Sequence, residues 1–119
     1  MIYLLIGLGG GLGAISRFLV SDFLTKISLF GIPLGTFFVN IVGCLLIGIF
    51  LSINNVNGST LTKEFFIIGF LGSFTTFSAF TKESLIFFNQ GSFITAFSYI
   101  IFTVSLCLLS TYLGFKVFK

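Results

Sequence analysis

The sequence predicts an all-α membrane protein with four transmembrane helices in a single domain, residues 1–119. Three observations lead there. The composition is 56% hydrophobic and only 8% charged, whereas a soluble globular domain carries roughly 25% charged residues. The apolar residues gather into four runs, Ile2 to about Val20, Leu34 to about Ile53, Phe65 to about Phe88 and Phe93 to about Phe115. Each is near the ~20 residues a helix needs to cross the hydrocarbon. The charges, Arg17, Asp22, Lys26, Lys63, Glu64, Lys82, Glu83, Lys116 and Lys119, punctuate these runs instead of filling them.

The first run follows Met1 with no basic segment before it and is too long for a signal-peptide core, so it is read as the first span. In it Gly7 with Gly11 and Gly9 with Gly13 make overlapping GxxxG pairs, small surfaces that let membrane helices approach closely. Gly9-x-Gly11-x-x-Ala14 is also a loose match to a dinucleotide fingerprint, but no second strand follows it and the run is a span. Arg17 lies before the last apolar turn, where a charge must snorkel or pair. An interface anchor and a fixed charge that attracts an anion are both open readings.

The second run opens with PLGTFFVNIVG, Pro33 to Gly43. Pro33 suits a helix start, where its missing N–H is not needed. Asn40 brings an amide with four hydrogen-bonding positions about two turns into the span. Asn40, Cys44 and Gly48, at i, i+4 and i+8, share a narrow face suited to a helix contact or a pore wall.

The third run carries GFLGSFTTFSAF, Gly69 to Phe80. Phe70, Phe74 and Phe77 follow helical spacing, which predicts an aromatic stripe. Gly72, Ser73, Thr75, Thr76 and Ser78 weaken a helix and predict a break, tolerated in mid-membrane only where freed backbone groups find protein, ion or water partners. Freed carbonyls are ligands for a small cation. Ring edges beside hydroxyl or amide donors suit a small, strongly hydrated anion, which full positive charges would hold too tightly.

The fourth run sets Tyr99, Thr103, Cys107 and Thr111 at successive i+4 positions. Scattered hydroxyls often bond back to their own helix, but a four-turn stripe could line a track for a small polar solute.

Several function classes fall away. No extramembrane segment is long enough for a soluble catalytic domain, and neither a nucleophile–base pair nor a metal-ligand cluster is present, so an enzyme is not predicted. There is no His, and Asp22, Glu64 and Glu83 lie toward span ends, so a proton-coupled transporter lacks its usual carrier. The net charge of +3 suits lipid headgroups, and no basic cluster exists to track nucleic acid. Lys63, Lys116 and Lys119 on one side balance Arg17, Lys26 and Lys82 on the other, so no positive-inside bias sets the orientation. That balance permits two oppositely inserted copies.

With GGGLGAISRF, PLGTFFVNIVG and GFLGSFTTFSAF in order, one per span, the chain resembles over essentially its whole length the small bacterial fluoride channels of the CrcB or Fluc type. The resemblance implies a multi-pass protein of the bacterial cytoplasmic membrane, an antiparallel dual-topology dimer with two fluoride pathways, and passive fluoride export. The partner chain is a second copy or a sister chain. The resemblance also implies a structural Na+ ion, not transported, held at the break by the backbone carbonyls of Gly72 and Thr75. Phe77 and Phe80 match the phenylalanines that line the pore, Asn40 the pore asparagine, Arg17 the arginine of the first motif, and Thr76 and Ser78 hydroxyl positions. Glu83 matches an acidic position near a pore mouth, and Tyr99 and Thr103 match the polar track of the fourth span. Cys107 stands where a hydroxyl would complete that track.

Two other classes compete. A small dual-topology multidrug-type cation exporter shares size, span count and charge balance, but needs a mid-membrane carboxylate. A helix-packing subunit without transport would use the glycines and Asn40, and would leave the broken span without a purpose.

Overall fold

The computed structural model describes residues 1–24, 26, 28–29, 32–57 and 61–117. Helix α1 is Ile2–Leu24 and α2 is Leu34–Asn57. The third span is discontinuous. A π-helical stretch, Leu61–Leu71, runs into one α-turn, Gly72–Phe74, and together they are α3; after the break, α4 is Phe77–Asn89. Helix α5 is Phe93–Val117. The helices overrun the predicted apolar limits because a helix continues into the headgroup region, where charges such as Asp22 are at home.

Four helical segments are long and apolar enough to cross a membrane, the third counted across its break. The molecule is 48 Å long, enough to pass through the ~30 Å hydrocarbon core. The α1–α2 connection holds a two-residue antiparallel pairing, Ser28–Leu29 with Ile32–Pro33. Pro33 therefore precedes the first turn of α2 by one residue. Lys119 of the charge count lies outside the described residues.

Four glycines bring two pairs of helices into close contact. A Cβ on Gly13 would sit 2.1 Å from the Phe70 carbonyl oxygen, and one on Gly9 2.2 Å from that of Phe65, so α1 lies against α3 with backbone touching backbone. Gly48 and Gly114 do the same for α2 and α5, where added methyls would meet the carbonyls of Thr111 and Leu45 at 2.1 and 2.3 Å. Of the overlapping GxxxG pairs, Gly9 and Gly13 are spent inside the chain, whereas nothing lies within 4 Å of a Cβ on Gly7 or Gly11. The core is thin, with Val39, Leu71 and Tyr99 its largest fully buried side chains. Leu8, Leu12, Phe18, Ile101, Leu108 and many more face outward, a surface stable only against lipid or another helix.

Candidate functional site

The break occupies Thr75 and Thr76, whose backbones are extended (φ −78°, ψ 153° and φ −146°, ψ 119°). It falls inside the predicted Gly72–Ser78 interval. It also divides the expected aromatic stripe: Phe70 stacks on Phe74 at 5.8 Å, but Phe77 lies beyond the break and pairs with Phe80 at 5.6 Å. An i+3 spacing places two rings on one face only while the helix is continuous.

Neighbouring helices satisfy the freed backbone. The Thr76 N–H donates to Asn40 Oδ1 at 2.7 Å, and Asn40 Nδ2 donates to the Thr76 carbonyl at 3.0 Å, so one side chain from α2 pairs both sides of Thr76 as a neighbouring strand would. Arg17 Nε, from α1, donates to the Ser73 carbonyl at 3.0 Å. The Thr75 hydroxyl and N–H both donate to Leu71 O, at 3.0 and 3.1 Å. Thr76 also caps α4, its hydroxyl accepting from the Ala79 N–H at 3.2 Å and lying 3.3 Å from that of Ser78. Two helical carbonyls thus lose their usual donors. The Thr76 N–H that would close on Gly72 goes to Asn40, and the Ala79 N–H that would close on Thr75 goes to the cap.

Beside the break lies a cavity of about 290 Å³, walled by Asn40, Thr76, Phe77, Phe80, Thr103 and the two cysteines, among others. None of its lining side chains is Asp, Glu, Lys or Arg. Phe80 is buried and Phe77 is 74% exposed, so the cavity opens toward the chain's outer surface at Phe77. The Thr103 hydroxyl is buried and has no hydrogen-bond partner, which in a native interior calls for a ligand or water.

The two small-residue stripes face each other. Thr36 and Tyr99 meet on one carboxylate, Asn40 and Thr103 share the cavity, as do Cys44 and Cys107, and Gly48 touches Thr111. The same sequence offset separates every pair, so α2 and α5 run parallel, with each turn of one meeting the matching turn of the other. The Thr111 hydroxyl adds a bond to the Cys44 carbonyl at 3.1 Å.

Glu83 is the node of the first rung. It accepts from Thr36 Oγ1 at 2.6 Å and from Tyr99 OH at 2.5 Å, tying α4 to α2 and α5. Tyr99, fully buried, packs its ring on Phe80 at 5.3 Å and on Phe87 at 5.8 Å.

Of the predicted residues, the structure gathers Asn40, Thr75, Thr76, Phe77, Phe80 and Thr103 around one cavity. Tyr99 and Glu83 stand behind Phe80 and do not line it, Ser78 is exposed at the start of α4, and Arg17 reaches the break from α1. Thr36 was missed by the sequence reading, although it stands four residues before Asn40 and extends its stripe by one turn. That Cys44 and Cys107 share one cavity was missed as well, for nothing in either stripe gives their relative register.

A family model described as CrcB-like protein, Camphor Resistance (CrcB), matches residues 4–115. A protein of Campylobacter lari named fluoride-specific ion channel FluC is 46% identical over 117 residues, which is 98% of this chain and 96% of that protein. One of the same name from Campylobacter jejuni is 41% identical with the same coverage. Another, from a Nitratiruptor species, is 40% identical over 96% of this chain and 89% of its own length.

Proposed function

The chain belongs to the CrcB family, and from that membership and the chemistry of the cavity we propose that it is a passive fluoride channel of the bacterial cell membrane, not an enzyme. The observation that carries this reading is a cavity lined by neutral donors and phenylalanine rings, with one hydroxyl, that of Thr103, left without a partner. A fluoride ion must shed tightly held water to pass. The Thr103 hydroxyl and the second N–H of Asn40 replace part of that water, and the positive ring edges of Phe77 and Phe80 replace more. With no formal charge on the wall, the ion is held weakly enough to leave.

The proposal extends to an antiparallel dimer, of two copies or of this chain with a sister chain. The even charge count, the outward-facing Phe77 at the cavity mouth, the open Gly7 and Gly11 and the exposed Gly72 support a partner in that position. The break also fits a structural Na+. Its donors are the carbonyls of Gly72 and Thr75, hard neutral oxygens whose helical donors are diverted. No group of three or more His, Cys, Asp or Glu forms an alternative cation site among the described residues. Bound there, Na+ would supply a fixed positive charge that holds the break open. A cation exporter is disfavoured, because the cavity wall carries no carboxylate and both Glu83 oxygens accept hydrogen bonds from the protein.

Fluoride efflux from liposomes holding the purified chain alone, beside a chloride control in sodium buffer, tests the proposal. Rapid fluoride-only efflux is expected. Equal passage of chloride would refute selectivity, and no efflux from folded protein would refute self-sufficiency.

A further inference from the structure

The pathway proposed above gives the cysteine rung no role, although both cysteines line the same cavity. Cys44 and Cys107 are both free, and both line the cavity. The rungs on either side set their separation: Asn40 with Thr103 one turn before, and Gly48 against Thr111 one turn after, where the helices are in backbone contact. We propose that Cys44 and Cys107 form a two-thiolate site for a soft monovalent d10 cation, Cu(I) or Ag(I), on the wall of the cavity.

The chemistry selects this class of ion. Soft cations prefer sulfur, and the d10 monovalent ions are satisfied by two ligands in line. Zinc takes four, and among the described residues no third His, Cys, Asp or Glu joins the pair. Binding exchanges two S–H bonds for two S–metal bonds; two protons leave to water, the cation loses weakly held waters, and no electron moves. Two thiolates and one monovalent cation leave a net charge of −1 in a cavity whose wall has no formal charge. The unpaired Thr103 hydroxyl, one turn from Cys107, is a donor available to the thiolate. If the cavity conducts fluoride, as proposed above, the filled site opposes anion entry by both charge and bulk.

The test uses the full chain, reduced and metal-free, titrated with Ag+ in nitrate medium. One Ag+ per chain is expected, protecting both thiols from alkylation, with two sulfur ligands seen by silver-edge X-ray absorption. Cys44→Ser and Cys107→Ser should each weaken binding by roughly 100-fold, since each removes one of two ligands. One sulfur per silver, two silvers per chain, or single variants that bind like the parent would overturn the site. The absorption measurement needs no variant, so a serine variant that fails to fold leaves the site testable. In liposomes, Ag+ should slow fluoride efflux at least tenfold, reversed by a competing dithiol; unchanged efflux with silver bound would overturn the block. A chain that binds silver through both sulfurs yet never conducts fluoride would refute the channel reading and support the site. One that conducts but binds through a single sulfur would refute the site alone.

Discussion

Replacing Asn40 with Ala tests whether the break is held open by one side chain. The substitution removes the 2.7 Å bond from the Thr76 N–H and the 3.0 Å bond to the Thr76 carbonyl. In membrane helices a side-chain hydrogen bond averages about 0.6 kcal/mol and reaches about 1.7, so losing two costs about 1 to 3 kcal/mol. The adjoining cavity admits water, which keeps the figure below the ~1–3 kcal/mol that each fully orphaned group would cost in a dry interior. Local opening should follow: a loss of about 2 kcal/mol speeds hydrogen exchange at the Thr76 amide roughly 30-fold. Equilibrium unfolding in mixed micelles gives the stability, and exchange monitored at Thr76 gives the locality. An Ala variant within about 0.5 kcal/mol of the parent, with unchanged exchange at Thr76, would refute the assignment of Asn40 as the partner of the break.

Thr103→Val removes a buried hydroxyl that has no partner, so the variant should be as stable as the parent or about 1 kcal/mol more stable, while fluoride efflux falls; lost stability with intact efflux would show that the hydroxyl is structural. Phe77→Leu and Phe80→Leu keep apolar bulk but remove the ring edges, and each should cut fluoride efflux at least tenfold in liposomes while the protein still elutes as one species. Gly13→Ala forces a methyl to 2.1 Å from the Phe70 carbonyl and should cost about 1–3 kcal/mol, read by the unfolding midpoint. Gly11→Ala meets nothing within the chain and should leave monomer stability unchanged, so any loss it causes in the proposed dimer, read by crosslinking, would place the partner against that face.

The spans were legible because bilayer thickness is an external ruler that an apolar run either meets or does not. The break was legible too, since Gly, Ser and Thr crowd one stretch of an otherwise apolar run and each weakens a helix. Both stripes, Asn40–Cys44–Gly48 and Tyr99–Thr103–Cys107–Thr111, follow from periodicity within one helix. That they face each other turn for turn does not, because register between helices is set by where backbones can touch, here at Gly48 and Gly114. The partner of Arg17 was equally hidden: the Ser73 carbonyl is a backbone group with no signature of its own, available only because the third span stops nearby. The π-helical form of Leu61–Leu71 had no sequence signal we identify.

One break makes two unlike helix ends, and that would account for pairing the proposed cation site with the proposed anion path in so small a chain. The carbonyls that close α3 form a negative end, and the N–H groups that open α4 a positive end, each equivalent to about half an elementary charge. Thr76 and Phe77, at the α4 end, line the cavity, so an anion there meets a positive dipole end without meeting a lysine or arginine. Gly72 and Thr75, at the α3 end, present the carbonyls proposed to hold Na+. A continuous helix would bury both fields in its own hydrogen bonds, and the Phe rings alone would offer an anion too little to replace its water. The arrangement holds only if the ends stay apart, and bonds from two other helices keep them apart: Arg17 of α1 on Ser73, and Asn40 of α2 on Thr76. Of the two side chains that hold the break from other helices, Asn40 also lines the cavity, so its amide is where loss of fold and loss of conduction should coincide.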